Sequence, residues 1–379
     1  MFSIDQLTII LGAIAIVSAL ITPFFNPFFR RLRHQETPAA SSSPGVTVLL
    51  VSNGDATALD EHLPIYLTQD YDNDYQVIVV AEKSESDTGD VLKRYANDPH
   101  LYFTFIPESS RYMSKNKLAI TLGVKASKHD WIVLSDPRLK PTGQEWLQSM
   151  SQSLNDDTSM VLGYCNYADD APAFHRFEHL HTALYLLRDA QSGQAYRTNC
   201  HQIAFRKSEF MRKSGFMEYL KYSIGEYDFL VNKFSNEENT TVTIDESTWL
   251  VENPLPERTW QNRQVYDQEV QRHLTGGMGV RILHGIDQLL LHANYLYILG
   301  AGIFGGLTHR WILLGAAALA LIITIVLRTI IGRKALREFK VDIPSYKIVP
   351  MEISLWWKHI KTYLRHEYAD KNDFISHKV

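Results

Sequence analysis

The chain has 379 residues, of which 45% are hydrophobic and 21% charged, and its formal net charge is −4. So slight an acidic balance provides no basic field to gather nucleic acid, and nucleic acid is excluded as a partner. Two cysteines, Cys165 and Cys200, make neither a disulfide framework nor a thiolate zinc cluster, which fits a reducing compartment.

Residues 7–25 form a mostly apolar run, about long enough to cross a hydrocarbon core of roughly 30 Å. No basic stretch precedes it and no small-residue cleavage site follows, so it reads as a retained anchor. Arg30, Arg31 and Arg33 come next, then a Ser/Pro-rich linker over 37–44.

From residue 45 the pattern changes to short β-rich apolar runs alternating with helical stretches. Strands are expected at 45–51, 76–80, 101–106 and 131–134, with helices at 58–67, 87–97 and 117–127. Pro64 is expected to kink or break the first of these helices. Strands without apolar alternation belong in a parallel sheet covered on both faces. Right-handed crossovers then bring the strand C-terminal ends to one edge, where ligands bind. Polar residues fall at that edge: Ser52, Asn53 and Asp55 after strand one, Glu82 and Ser84 after strand two, Asp136 after strand four. Singly these are turn residues; acids at three of four strand ends point to a ligand.

The run His175-Arg176-Phe177-Glu178-His179 matches the zinc-peptidase spacing H-x-x-E-H, with His181 nearby. Its other reading is a set of polar positions on a helix beside a binding site. The glycines at 276, 277 and 279 read as a flexible join, since no strand precedes them.

Two further apolar spans are expected at 286–307 and 311–331, the former weakened by Asp287, His292 and Asn294 near its start. Arg328, Arg333, Lys334 and Arg337 crowd the far end of the latter. Placing both arginine clusters on the cytoplasmic side puts the N-terminus outside and residues 31–285 and the tail inside. In the tail, Ile353, Trp356, Trp357, Ile360 and Leu364 recur at helical spacing, with Lys358, Lys361 and Arg365 on other faces. That reads either as an amphipathic helix on the inner leaflet or as a helix packed on the globular domain.

Taken in order, these features resemble the family 2 glycosyltransferases, in their membrane-anchored bacterial branch related to polysaccharide synthases. The resemblance runs from about residue 45 to 273. It rests on Gln69-Asp70-Tyr71 before the second strand, and on Glu82, Ser84, Asp87 and Thr88 in the loop that holds the nucleotide base. It rests further on Lys117-Leu118-Ala119 before the D-x-D strand and on Asp136 at the D-x-D loop. Later come Gly163-Tyr164, Ala204-Phe205-Arg206-Lys207, Gly225-Glu226-Tyr227-Asp228 near the catalytic acidic motif, and Trp260 to Arg263 near the Gln/Arg/Trp motif. The order of these signals carries more than any one of them.

The resemblance implies an α/β fold of the GT-A type, Rossmann-like with a mostly parallel sheet, flanked by transmembrane helices. It divides the chain into an anchor (1–30), a linker (31–44), a GT-A domain (45–285), two membrane helices (286–331) and a cytoplasmic amphipathic tail (332–379). It implies inverting transfer from a UDP-linked sugar to a glycan or lipid-linked acceptor at the inner membrane face, in cell-envelope polysaccharide biosynthesis, with partner subunits of an assembly system. Ser52, Asn53, Glu82, Lys117, Asp136 and Arg138 would bind the donor. Glu226 and Asp228 would be catalytic, Trp260 and Arg263 would cap the acceptor side, and Asp136 would hold a divalent cation, Mg or Mn.

The sequence departs from that pattern at three points. The D-x-D loop reads Asp136-Pro137-Arg138, and an arginine repels a cation but binds phosphate bidentately. Either Arg138 replaces part of the metal's role, or the chain is a transferase-like pseudoenzyme that binds a nucleotide, a lipid-linked sugar or a partner. Tyr227 stands where the base is commonest, and Trp260, Gln261, Asn262, Arg263 and Gln264 keep the last motif's residue types in another spacing.

Overall fold

The computed structural model describes residues 5–33, 43–106, 114–192, 195–236, 238–370 and 374; most of the expected linker lies outside them. The chain divides into two units. One takes the chain up to Arg31, Ala173–Tyr185 and Met278–Lys361; the other takes Leu32–Pro172, Leu186–Gly277 and the chain from Thr362 onward.

In chain order the first elements are α1 (Gln6–Ile21), β1 (Val46–Val51), α2 (Ala56–Leu67), β2 (Tyr75–Glu82), α3 (Ser86–Arg94), β3 (Leu101–Ile106), α4 (Lys115–Ala126) and β4 (Trp131–Ser135). They match the expected strand–helix alternation. Of the kink or break expected at Pro64, the break does not occur: α2 runs through Pro64 to Leu67. The proline lacks a donor, but its carbonyl still accepts from the Thr68 backbone N–H at 3.1 Å and from Thr68 Oγ1 at 2.9 Å, so the last turn closes. Next come β5 (Leu139–Pro141), α5 (Trp146–Ser151), β6 (Met160–Leu162), β7 (Cys165–Tyr167), α6 (Ala173–Ser192), β8 (Ile203–Arg206) and α7 (Lys207–Arg212). They are followed by α8 (Glu226–Phe234), β9 (Thr240–Val242), β10 (Leu250–Glu252), α9 (Glu257–Val270), α10 (Met278–Leu307), α11 (Trp311–Glu338) and α12 (Ser345–Glu367).

A seven-stranded sheet, ordered β3-β2-β1-β4-β8-β6-β9, forms the core of the second unit. β1 pairs in parallel with both β2 and β4, and all six of its residues are buried. β8 runs antiparallel to β4 and β6. The fold is therefore α/β with a mostly parallel sheet, as expected. Three-residue strands build a second sheet, β5-β10-β7, whose register sets Glu252 opposite Leu139, one residue after Arg138.

The first unit contains three helices long and apolar enough to cross a membrane: Gln6–Phe25, Arg281–Leu307 and Trp311–Glu338. Small residues line their contacts: Ala15, Ala19, Ala301, Ala317 and Ala320 are buried together with Ile298 and Leu313. In an apolar solvent such close packing holds helices together. Each polar residue that weakened the second span has a partner inside this unit, although His292 Nε2 and Asn294 Oδ1 are buried without one among the described residues. Asp287 pairs with Arg328 at 3.3 Å, Asn294 donates to Thr324 Oγ1 at 3.0 Å, and His292 Nδ1 meets the Gln288 carbonyl at 2.8 Å. Arg328, read above as one of the cluster at the end of the last span, is fully buried and also pairs with Glu352 at 3.2 Å. It does not join Arg333, Lys334 and Arg337, which are exposed.

Candidate active site

The loop after β4 is fixed from behind by α2. His62 Nδ1 lies 2.8 Å from the Pro137 carbonyl, and the Tyr66 hydroxyl donates to the Leu139 carbonyl at 2.8 Å. This leaves Asp136 and Arg138 facing each other. Asp136 Oδ1 accepts from the Arg138 backbone N–H and from its Nε, both at 2.9 Å, and Oδ2 accepts from Nη2 at 2.6 Å. Burial alone would raise the Asp136 carboxyl, but the Arg138 charge and hydrogen bonds, joined by His201, hold it far below the ordinary carboxylate range. Arg138 is raised in turn, since Asp136, Glu252 and Asp55 outweigh its burial; Asp55 Oδ2 lies 3.6 Å from its Nε.

Hard cations take carboxylate oxygens. Both Asp136 oxygens are engaged by Arg138, and among the described residues no group of three His, Cys, Asp or Glu side chains could hold a metal. The arrangement does not fit a paired-carboxylate cation site. The Arg138 guanidinium engages both of the carboxylate oxygens that the expectation gave to a divalent cation.

α8 begins at Gly225, whose φ of +88° is left-handed and suits glycine. A Cβ there would come within 2.7 Å of Val270 Cγ2. This turn delivers Glu226 and Asp228 to one cavity of about 390 Å³, lined also by Arg138, His201, Tyr227 and Arg263. Glu226 Oε1 accepts from Asn116 Nδ2 at 2.7 Å, while its Oε2 is buried without a partner among the described residues. Asp228 Oδ1 accepts from the Thr198 backbone N–H at 3.1 Å, and Oδ2 lies 3.7 Å from Arg197. Burial pushes the Asp228 carboxyl up to about 6, despite Arg197.

On the far wall Arg263 Nη1 donates to both Glu252 oxygens, at 2.9 and 3.1 Å. Burial opposes both charges, yet each keeps the other ionised: Glu252 is lowered and Arg263 raised. Arg263 Nη2 lies 3.1 Å from His201 Nε2. A guanidinium only donates, so Nε2 accepts and the ring proton sits on Nδ1, 3.8 Å from Asp136 Oδ2. The His201 ring stacks on Tyr227 with centroids 4.4 Å apart. His201 thus stands between Asp136 and Arg263.

The fold therefore gathers Arg138, Glu226, Asp228 and Arg263 at one cavity, with Asp136 held to Arg138. Ser52, Asn53, Glu82, Lys117 and Trp260 are not among the described residues lining it. Ser52 Oγ donates to Glu85 at 3.3 Å, Asn53 is exposed, and Glu82 pairs with Lys115 at 2.6 Å. Lys117 is fully buried, and its ammonium donates to the carbonyls of Tyr222 and Ile224 at 2.7 and 2.9 Å. Burial lowers it to about 8. Trp260 is buried on α9, one turn before Arg263. His201, Arg197 and Glu252 escaped the sequence reading; only an acid closing the apolar pair Leu250-Val251 hinted at Glu252.

The H-x-x-E-H run is on α6, in the first unit. There Glu178 Oε1 accepts from Lys358 Nζ at 2.9 Å and Thr182 Oγ1 at 3.1 Å. Burial would raise this carboxyl, but Lys358 holds it low, which suits an ion pair and not a hydrolytic base.

The model of a family described as Glycosyl transferase family 21 matches residues 7–364. The resemblance drawn above was to family 2; the two agree on a glycosyltransferase. No curated protein matches the chain. Among solved structures, a mannosyltransferase from Pyrobaculum calidifontis in complex with GDP-Man and Mn2+ is similar at 16% identity and a TM-score of 0.55, covering 95% of this chain and 98% of that one. S. aureus TarS 1-349 in complex with UDP-GlcNAc is 12% identical over 85% of this chain and 90% of that one, with a TM-score of 0.43. The first of these likenesses concerns the fold.

Proposed function

Because the chain belongs to glycosyl transferase family 21, we propose that it transfers a sugar from a nucleotide-diphosphate donor, UDP-linked, to a glycan or lipid-linked acceptor at the inner face of the cytoplasmic membrane. The observation that carries this reading is the single cavity shared by Glu226 and Asp228 at the start of α8 and by Arg138 and Arg263 from other elements. In an inverting transfer the acceptor oxygen bonds to the sugar's anomeric carbon as the bond to the diphosphate breaks. The acceptor proton passes to a carboxylate. Asp228 is the better base, because burial leaves it more basic than an ordinary aspartate and still ionised near neutral pH. Glu226 lies two residues away as the alternative. Arg138 carries the leaving diphosphate, taking a role that a paired-aspartate loop gives to a cation. The family 2 branch, its cell-envelope polysaccharide role and its assembly partners belong to the same proposal.

Calorimetry on the full chain in lipid nanodiscs, with UDP and with GDP, each with and without Mn²⁺, tests the donor site. Binding without metal that weakens in Arg138→Ala supports the reading. Binding only with metal, unchanged in Arg138→Ala, removes Arg138 from the site. Release of free nucleotide from UDP-sugars in the presence of membrane lipid extract tests the chemistry.

A second reading has its own observation. The three hydrogen bonds from Arg138 to Asp136 leave neither oxygen free, as in a pseudoenzyme that binds nucleotide without turnover. Nucleotide binding with no turnover of any donor would favour it.

A further inference from the structure

The last helix has two apolar faces, and only one is covered by the described residues. α12 docks through Ile348, Val349, Glu352 and Leu355, all buried. Glu352 takes Arg328 of α11 at 3.2 Å and is also hydrogen-bonded by Asn26. A Cβ at Gly332 would come within 2.6 Å of Ile348 Cγ2, so the α11 and α12 backbones approach closely there. α11 itself stops in a left-handed turn at Lys340, φ 53°, and a few buried apolar residues lead straight into α12. The helix is thus fixed at the end of an apolar helix long enough to span a membrane.

Among the described residues nothing packs over the opposite face. Tyr346, Trp357, Ile360 and Leu364 are 75, 64, 38 and 48% exposed, and Tyr368 just beyond the helix is 88% exposed. With Ile353 between them they recur at intervals of seven, four and three residues, which is one stripe of an α-helix. Lys361, exposed, flanks the stripe on one side, while Arg365, also exposed, is turned to Gln261 of α9, to which it donates.

We propose that this stripe is a membrane-contact surface, seated in the headgroup region of a bilayer containing anionic lipid. Three observations choose this occupant. The stripe is rich in Trp and Tyr, whose amphipathic rings favour the interface between lipid and water. Its basic flank complements anionic headgroups. It is continuous with the exposed Arg333, Lys334 and Arg337 at the same end of α11, where a span would leave the hydrocarbon. The two readings left open by the tail's sequence are then both true, one for each face. The helix is pinned to the membrane helices by Glu352 and lies on the lipid by Trp357.

Single nitroxide labels on the full chain test this in vesicles of phosphatidylethanolamine and phosphatidylglycerol. Trp357→Cys, Ile360→Cys and Leu364→Cys label the stripe; Ser354→Cys and Arg365→Cys label the water side. Cys165 and Cys200 are buried, and the unsubstituted chain gives their background. Relaxation by oxygen should exceed relaxation by a water-soluble nickel chelate at the three stripe positions, and the ratio should invert at the two controls. The proposal is overturned if nickel dominates along the stripe. It is equally overturned by spin–spin broadening at 357, which would mean a second copy. Exclusion of both relaxers without broadening would also overturn it, since protein would then cover the face.

Discussion

Asp228→Asn preserves the side chain's shape and its acceptor for the Thr198 N–H, and replaces the charged oxygen toward Arg197 by a neutral amide group. Burial raises this carboxyl from 3.8 to about 6, against the pull of Arg197. A group that holds its proton more tightly folded than unfolded contributes stability that is fully present below the unfolded value. That stability is lost as pH rises through the folded value. At about pH 7.5 the folded chain therefore carries an ionised, desolvated aspartate at a cost of about 3 kcal/mol, counting about 1.4 kcal/mol per tenfold change in proton affinity. The asparagine variant should be the more stable protein at that pH by up to ~3 kcal/mol and should lose the advantage by about pH 4. Asp136 and Glu252 act with the opposite sign, because their folded values are lowered. Their contribution is lost only as pH falls below the ordinary carboxylate range, so the difference between the two proteins isolates Asp228. The same substitution should reduce sugar transfer by ~10²- to 10⁴-fold if Asp228 is the base. Thermal unfolding in detergent across about pH 4 to 7.5, with donor turnover on the same samples, checks both. Identical pH dependence in the two proteins would refute the burial argument, and undiminished turnover would refute the base.

Gly225→Ala forces a side chain into a left-handed turn and against Val270, and should destabilise the second unit by ~1–3 kcal/mol, seen as a lowered melting temperature. Arg328→Met strands Asp287 and Glu352 inside the first unit and should cost ~3–5 kcal/mol, whereas replacing all three by apolar residues should recover most of it. Reporter fusions at Met1 and Val379 should report opposite sides of the membrane if the three apolar helices all span; both ends on one side would remove that topology.

The first half of the fold was legible because each of its strands is a run of five to eight residues, long enough for an apolar β-rich stretch to stand out between helical patterns. β6, β7, β9 and β10 have three residues each, too short for any period, and their places were not legible. The site follows the same division. Asp136, Arg138, Glu226, Asp228 and Arg263 sit in motif order and could be read. His201 is brought to Arg263 across 62 residues, and nothing local announces the contact. Lys117 misled for a related reason: a lysine before the D-x-D strand suggests a phosphate ligand, but the carbonyls that occupy it lie more than a hundred residues away. Arg328 looked like an anchor charge because sequence shows its neighbours along the chain and not Asp287 and Glu352 across the helices.

Charge accounting explains why the degenerate loop is compatible with the proposed chemistry. A paired-acid loop is repulsive until a cation enters it. Here Arg138 sits among Asp136, Asp55 and Glu252, so its charge is compensated before any ligand arrives. At about 4 Å and an effective dielectric near ~20, each such pairing is on the order of 4 kcal/mol before desolvation, and a second cation beside Arg138 would meet repulsion of the same size. A diphosphate meets the reverse situation, since it can accept the N–H groups that Asp136 now accepts. The guanidinium need only trade one set of oxygens for another, with Asp136 keeping the backbone N–H of residue 138 and the nearby His201 Nδ1–H to offset its charge. His201 can make that exchange because Arg263, fixed by Glu252, determines which ring nitrogen holds the proton. On the proposed reading, the motif does without its second acid because the arginine in that place meets the diphosphate directly, as a gathered cation otherwise would.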